Sequence, residues 1–203
     1  MKKNESDDFE KYCNCLGEVK WRIEAIESIL NGHSLGKEAL DIEFSTLQLR
    51  KCLELIAFSS LTANRTVYSE IHNNFQKHWN AKRLLSDLEK INSGFYPQPM
   101  MYFEEDPITK RRPVKDLESG FLTKEDLLFL YDKCGAVLHS RNPYKEGSNV
   151  VDIKRPFREW IERIKNLLFF HQIKLYGSEN LWLVFMNHPE TKKVTGYEMA
   201  PEK

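Results

Sequence analysis

The sequence has no apolar run approaching the roughly 20 residues that span a bilayer. Its start, MKKNESDDFEKY, carries charge where a signal peptide carries an apolar core. These two features predict a cytoplasmic protein with no membrane contact. Cysteine is scarce: Cys13, Cys15, Cys52 and Cys134. Cys52 and Cys134 lie in apolar helical runs, the usual place for a free thiol. Cys13 and Cys15 form a Cys-x-Cys with no second pair and no histidine at zinc-finger spacing. They read as two helix thiols, and neither a metal nor a cofactor is expected. Excess charge of one sign is lacking too, since Lys plus Arg and Asp plus Glu both number 30. Bulk charge therefore gives no drive for tight non-specific nucleic-acid binding and leaves only local patches. There is no Gly-rich phosphate loop, no GxSxG, no HExxH and no paired CxxC. Their absence argues against a nucleotide hydrolase, an α/β-hydrolase and a zinc protease.

What the chain does have is a long helix-forming stretch, Glu43 to Asn64, free of Gly and Pro. Its apolar residues, among them Phe44, Leu47, Leu49, Leu53, Leu55, Ile56, Phe58 and Leu61, fall on more than one side of a helical wheel. A surface helix shows one apolar stripe, so this pattern predicts a central helix buried between neighbours. Arg50 and Glu54 are four apart on one face of it and are expected to pair in a partly buried setting.

Around that helix the order of elements follows from periodicity. Residues 5–31 carry Phe9, Tyr12, Leu16, Val19, Ile23, Ile26 and Leu30 at intervals of three and four, and Asn31-Gly32 stops the helix. A short turn to Lys37 makes the first two helices an antiparallel hairpin. Arg65 to Asn80 is ambiguous, and Ala81 to Ile91 is helical again. Pro97 and Pro99 force extended backbone, Met100 to Phe103 suits a strand, and residues 106–110 suit a turn. Thr123 with Asp126 signs the start of another helix, which Pro143 ends. Pro156 opens a last helix, read here through Phe157, Trp160, Ile161, Ile164, Leu168, His171 and Leu175 to a stop at Gly177. Leu181 to Met186 and Lys193 to Met199 flank a turn at His188 to Lys192 and predict a β-hairpin.

The expected fold is mainly α, an antiparallel helical bundle with a small antiparallel β-hairpin element at the C-terminus (α+β). A helical domain covers residues 1–176 with an irregular or hairpin insert near 95–120. The C-terminal hairpin covers 177–203 and packs on the same domain. Both predicted turns share Pro-x-Thr-Lys, and the two hairpins are expected to share one sheet beside the helices.

Two polar groups are candidates for chemistry. The first is His139-Ser140-Arg141-Asn142-Pro143-Tyr144, at an abrupt helix end. His titrates near neutrality, and the Arg fork holds a phosphate or carboxylate in two hydrogen bonds. His139, Arg141, Asn142 and Tyr144 are thus candidate binding residues, weighed against a plain helix cap. The expectation is that His139 and Arg141 sit beside a concave surface that the central helix reaches, and that this surface binds an anion or an acidic partner. The second is Arg65 with His72. If helical, the two lie nearly two turns apart. There Arg would fix a phosphate and His would act as base on a ribose 2′-hydroxyl, a metal-free cleavage of RNA. His171, alone on an apolar face, reads as a satisfied core residue. Lys110-Arg111-Arg112 with Lys115 reads as a solvated basic loop.

The helical hairpin, the central LRKCLELIAF and the Arg65-x6-His72 spacing together resemble the HEPN-type helical domains of prokaryotic defence and toxin systems. The resemblance spans residues 5–175 and leaves the hairpin tail outside. Active members place the Arg-His pair near the start of a late helix, often with a polar residue after the Arg. Arg65-Thr66 matches that dipeptide but lies after the second helix, and Arg141-Asn142 matches it without a His within six residues. What the resemblance implies is an interaction or RNA-associated module of a bacterial-type mobile-element or defence system, without strong catalysis. Its partner would be RNA, an acidic protein or a second copy. The alternatives are a metal-independent ribonuclease using Arg65 and His72, and a structural homodimer packed through the long helices.

Overall fold

The computed structural model describes residues 3–71, 80–102, 107, 113–140, 144, 156–177 and 179–200. Six helices and five strands lie among them: α1 (Lys3–Leu30), α2 (Glu38–Ala63), α3 (Arg65–Ile71), α4 (Ala81–Ile91), β1 (Gln98–Tyr102), β2 (Val114–Asp116), α5 (Lys124–Val137), α6 (Phe157–Leu168), β3 (Phe170–Lys174), β4 (Leu181–Phe185) and β5 (Thr195–Met199). The fold is α+β and mainly α, as expected.

The helices form where the sequence periodicity places them. α1 and α2 pack as a long hairpin through Tyr12, Leu16, Val19, Ile23 and Ile26 on one side and Leu49, Cys52, Leu53 and Ile56 on the other, all buried. The Cys52 thiol reaches the Val19 carbonyl across that seam at 3.8 Å. α4 and α5 both pack against α2. The Thr123 hydroxyl caps α5 by accepting from the Asp126 amide at 3.1 Å, as its position before an acidic first turn requires.

α2 is buried on one broad face, with a second apolar stripe opposite. That stripe is half-covered at Leu55 and Phe58, but Leu40 and Leu47 stay 45% and 41% exposed. So the all-round pattern marks a helix enclosed along its second half and open along its first. Arg50 and Glu54 do pair, Nε to Oε1 at 3.2 Å, with 22% and 14% of their side chains exposed. Arg50 also donates to the Tyr131 hydroxyl at 2.8 Å and lies 4.1 Å above that ring, so the pair ties α2 to α5.

The last helix ends earlier than its apolar spacing suggests. α6 stops at Leu168, and the run FHQIK, read above as helix, is strand β3, with Phe170, His171 and Ile173 buried. The physical reason is a change of period. Apolar residues continue at both three-four and two-residue spacing there, and pairing with β4 on one side and β1 on the other decides for the strand. β3 is what joins the two hairpins into one antiparallel sheet, ordered β2-β1-β3-β4-β5.

The sheet has two unlike faces. His171, Ile173, Trp182 and Val184 point at the helices and are buried. Phe9 and Tyr12 of α1 meet the Trp182 ring edge-on at 5.0 and 5.6 Å. No described helix covers the other face.

Candidate interaction surface

The outer face carries one aromatic ring from each of four strands. Tyr102 on β1 lies 5.8 Å from Phe170 on β3. Phe170 stacks on Phe185 of β4 at 4.6 Å and 15°, and Phe185 meets Tyr197 of β5 edge-on at 6.4 Å. Phe170 is 2% exposed, sealed by its two ring neighbours, whereas Tyr102 and Tyr197 are 45% and 58% exposed. Leu183, Val114, Phe169 and Thr195 complete a shallow, mainly apolar concavity of about 530 Å³, closed at one end by the β4–β5 turn at Asn187 to Pro189.

The register makes the row. Antiparallel pairing sets Phe170 opposite Phe185, Phe185 opposite Thr195 and Leu183 opposite Tyr197, so alternate residues of three strands share this side. Tyr102 arrives diagonally, because β1 pairs with β3 only at Gln98–Gln172 and Pro99–His171. The turn at the end of the row is held from beneath. Lys20 of α1 donates to the Asn187 side-chain oxygen at 2.6 Å and to the Lys192 carbonyl at 2.7 Å. Lys192 has φ 57, the left-handed region, and it and Lys193 are exposed.

Those residues singled out from the sequence that the structure describes do not converge there. The Arg65 Nε donates to both Asp8 carboxylate oxygens at 2.7 Å, and Asp8 is buried at the base of α1. Arg65 therefore ties the start of α3 to α1, and its main partner is already in place. His72 lies outside the described residues, and so do Arg141 and Asn142. His139 is exposed just past the end of α5, and Tyr144 is 94% exposed. Neither lines the sheet-face concavity. The basic segment 110–112 is likewise outside the described residues.

His171 is the core residue the sequence suggests, on a strand in place of a helix. Its Nδ1 donates to the Leu168 carbonyl at 2.9 Å, which leaves Nε2 as the acceptor for the Tyr12 hydroxyl at 2.7 Å. Burial lowers the imidazole to about 4, with the Leu168 carbonyl opposing in part. Burial likewise raises the Tyr12 phenol well above its ordinary value. Both groups are neutral and mutually satisfied, and a solvent-borne substrate does not reach either.

The four thiols are poor nucleophiles. Burial pushes Cys52 and Cys134 up to about 12, and Cys13 and Cys15 up to about 11. Cys13 and Cys15, two apart on α1, point about 200° apart around the helix. Among the described residues, no group of three or more His, Cys, Asp or Glu is placed to hold a metal ion. None of their helices is long and apolar enough to cross a membrane.

A polar concavity of about 540 Å³ lies at the opposite corner of the sheet, between Glu89, Asp116, Lys124 and Lys174. Lys124 there is already paired with Glu89 and Glu125. The aromatic face is the larger departure from an ordinary protein surface. Reading by sequence missed it. The signal was present in LWLVF, where both alternating sets of side chains are apolar, so two buried faces are needed and the helices supply cover for one.

No family model, curated protein or solved structure that was compared with the chain matches it.

Proposed function

We propose that this protein is an RNA-associated interaction module, in keeping with the resemblance to HEPN-type domains of bacterial mobile-element and defence systems. It acts by binding and not by catalysis, and its contact surface is the outer face of the sheet. The observation that carries this reading is the row Tyr102, Phe170, Phe185 and Tyr197, one ring per strand, open at both ends. A rigid aromatic row on a sheet offers π-faces on which unpaired bases stack, and every base has such a face. The exposed Lys192 and Lys193, in the β4–β5 connection at the end of the row, supply positive charge for a backbone. Chain neutrality fits affinity drawn from stacking more than from counterion release.

Against the ribonuclease alternative stands the engagement of Arg65 by a buried carboxylate. A free guanidinium is what a phosphate clamp requires.

The test is fluorescence anisotropy with a labelled single-stranded RNA and its duplex. The single strand should bind and the duplex should not. Tyr102→Ala and Tyr197→Ala should each weaken binding by about 1–3 kcal/mol, the worth of one stacked base. Unchanged affinity in both variants, or no binding by the unmutated protein, would refute the assignment. The RNA should come back intact from incubation in EDTA near pH 7.

A further inference from the structure

The two edges of the sheet are built differently. β2, at one edge, has three residues, two of them charged (Lys115 and Asp116), and Pro113 stands directly before it. Short length, charge and proline are the devices by which proteins stop an edge from pairing with another chain. β5, at the other edge, has fewer of them. It has five residues, TGYEM, with one charge and no proline, and no described strand pairs with its outer side. Tyr197 and Met199 are 58% and 46% exposed along it.

The single charge, Glu198, lies on the helix-facing side with Trp182, a placement that itself discourages edge pairing, but it is engaged within its own chain. The Glu198 carboxylate accepts from the Asn180 side chain of its own chain at 2.8 Å. We propose that β5 pairs antiparallel with β5 of a second copy, about a two-fold axis at Tyr197, to form one continuous ten-stranded sheet. In that register all five residues find partners: Tyr197 faces its own copy, Thr195 faces Met199, and Gly196 faces Glu198. Charges of like sign do not meet. Sliding the pair to centre on Glu198 would set two carboxylates against each other, and centring it on Gly196 would leave Glu198 and Met199 without partners inside the strand. The Tyr197 register alone pairs the whole strand without like charges meeting. The contact is isologous, as closed dimers require. It places the helices of both copies on one side and joins the two outer aromatic rows on the other. An interface built on one short strand edge is small, so the dimer forms and dissociates with concentration.

Sedimentation velocity on the full chain, from low to high micromolar protein, tests this. The weight-average mass should rise from one chain towards two with concentration. Tyr197→Lys sets two like charges across the axis and should stay monomeric throughout. Met199→Lys, which faces Thr195, should weaken association while keeping the fold even if the first variant loses it. Leu47→Glu, on the open stripe of α2, should dimerise as the unmutated protein does. A protein that stays monomeric at the highest concentration overturns the proposal. So does a dimer that Leu47→Glu abolishes and the β5 variants leave intact. The readout is mass and not RNA affinity, so failure here leaves the stacking assignment standing, and the reverse.

Discussion

His171 shows how one buried side chain carries a pH dependence into the whole fold. Its folded-state imidazole titrates at about 4 because burial disfavours the cation. In the unfolded chain it titrates near 6.5. The unfolded state therefore binds the proton first, and stability falls as pH drops below the unfolded value. The contribution is whole above about pH 6.5 and is lost progressively until pH reaches about 4, where both states are protonated. A difference of that size is on the order of 3 kcal/mol. Urea melts of the unmutated protein should weaken across this window. His171→Gln keeps a polar partner for Tyr12 without a titrating ring, and should start less stable but lose the steep acid slope between pH 6.5 and 4. An acid slope that persists unchanged in the variant would assign the effect to carboxylates.

At the scale of elements, legibility in the sequence followed the clarity of the period. α1, α4 and α5 were readable from residues at three-four spacing and from their stop and cap signals, including Thr123. The boundary between α6 and β3 was not. Trp160, Ile161, Ile164 and Leu168 extend in phase to His171 and Leu175, so nothing local announces the switch at Phe169. Strand pairing, which is non-local, settles it. The same non-locality hid the aromatic row, since Tyr102, Phe170, Phe185 and Tyr197 are scattered over 96 positions and meet only through register. Gly196 is a further case. It reads as a weak point inside a strand, yet a Cβ there would run into the Leu183 backbone carbonyl and come within 3.0 Å of the Phe9 ring. The glycine leaves room for the β4 backbone and for the Phe9 ring of α1. Gly196→Ala should cost about 1–3 kcal/mol, as overpacking does. Hydrogen exchange should show β5 and β4 opening before α2. Protection that falls equally in all elements would mean the strain is not local to this corner.

On the scale of the whole molecule, the C-terminal strands contribute to the same core as the helices, through Trp182, Val184 and Met186. β3 follows α6 within two residues and stands in the middle of the sheet, so the boundary expected at 176–177 falls between two adjacent, paired strands. The inner side of β4 presents Trp182 to both Phe9 and Tyr12, and Tyr12 in turn satisfies His171. Removing everything after Gly177 would take away β4 and β5, uncover the first third of α1 and leave β3 with one partner. Truncating a buried Trp alone typically costs about 3–5 kcal/mol. Domains of ordinary stability hold only about 5–15 kcal/mol in total. The shortened chain should therefore keep helical far-ultraviolet dichroism from the α1–α2 hairpin while losing its near-ultraviolet aromatic signal and its cooperative melt. Trp182→Ala in the full chain should melt cooperatively at a lower temperature, because the sheet remains paired through its backbone. If residues 1–177 melt as sharply as the full chain, then the helices hold a complete core of their own, and the contact of Trp182 with α1 adds only docking.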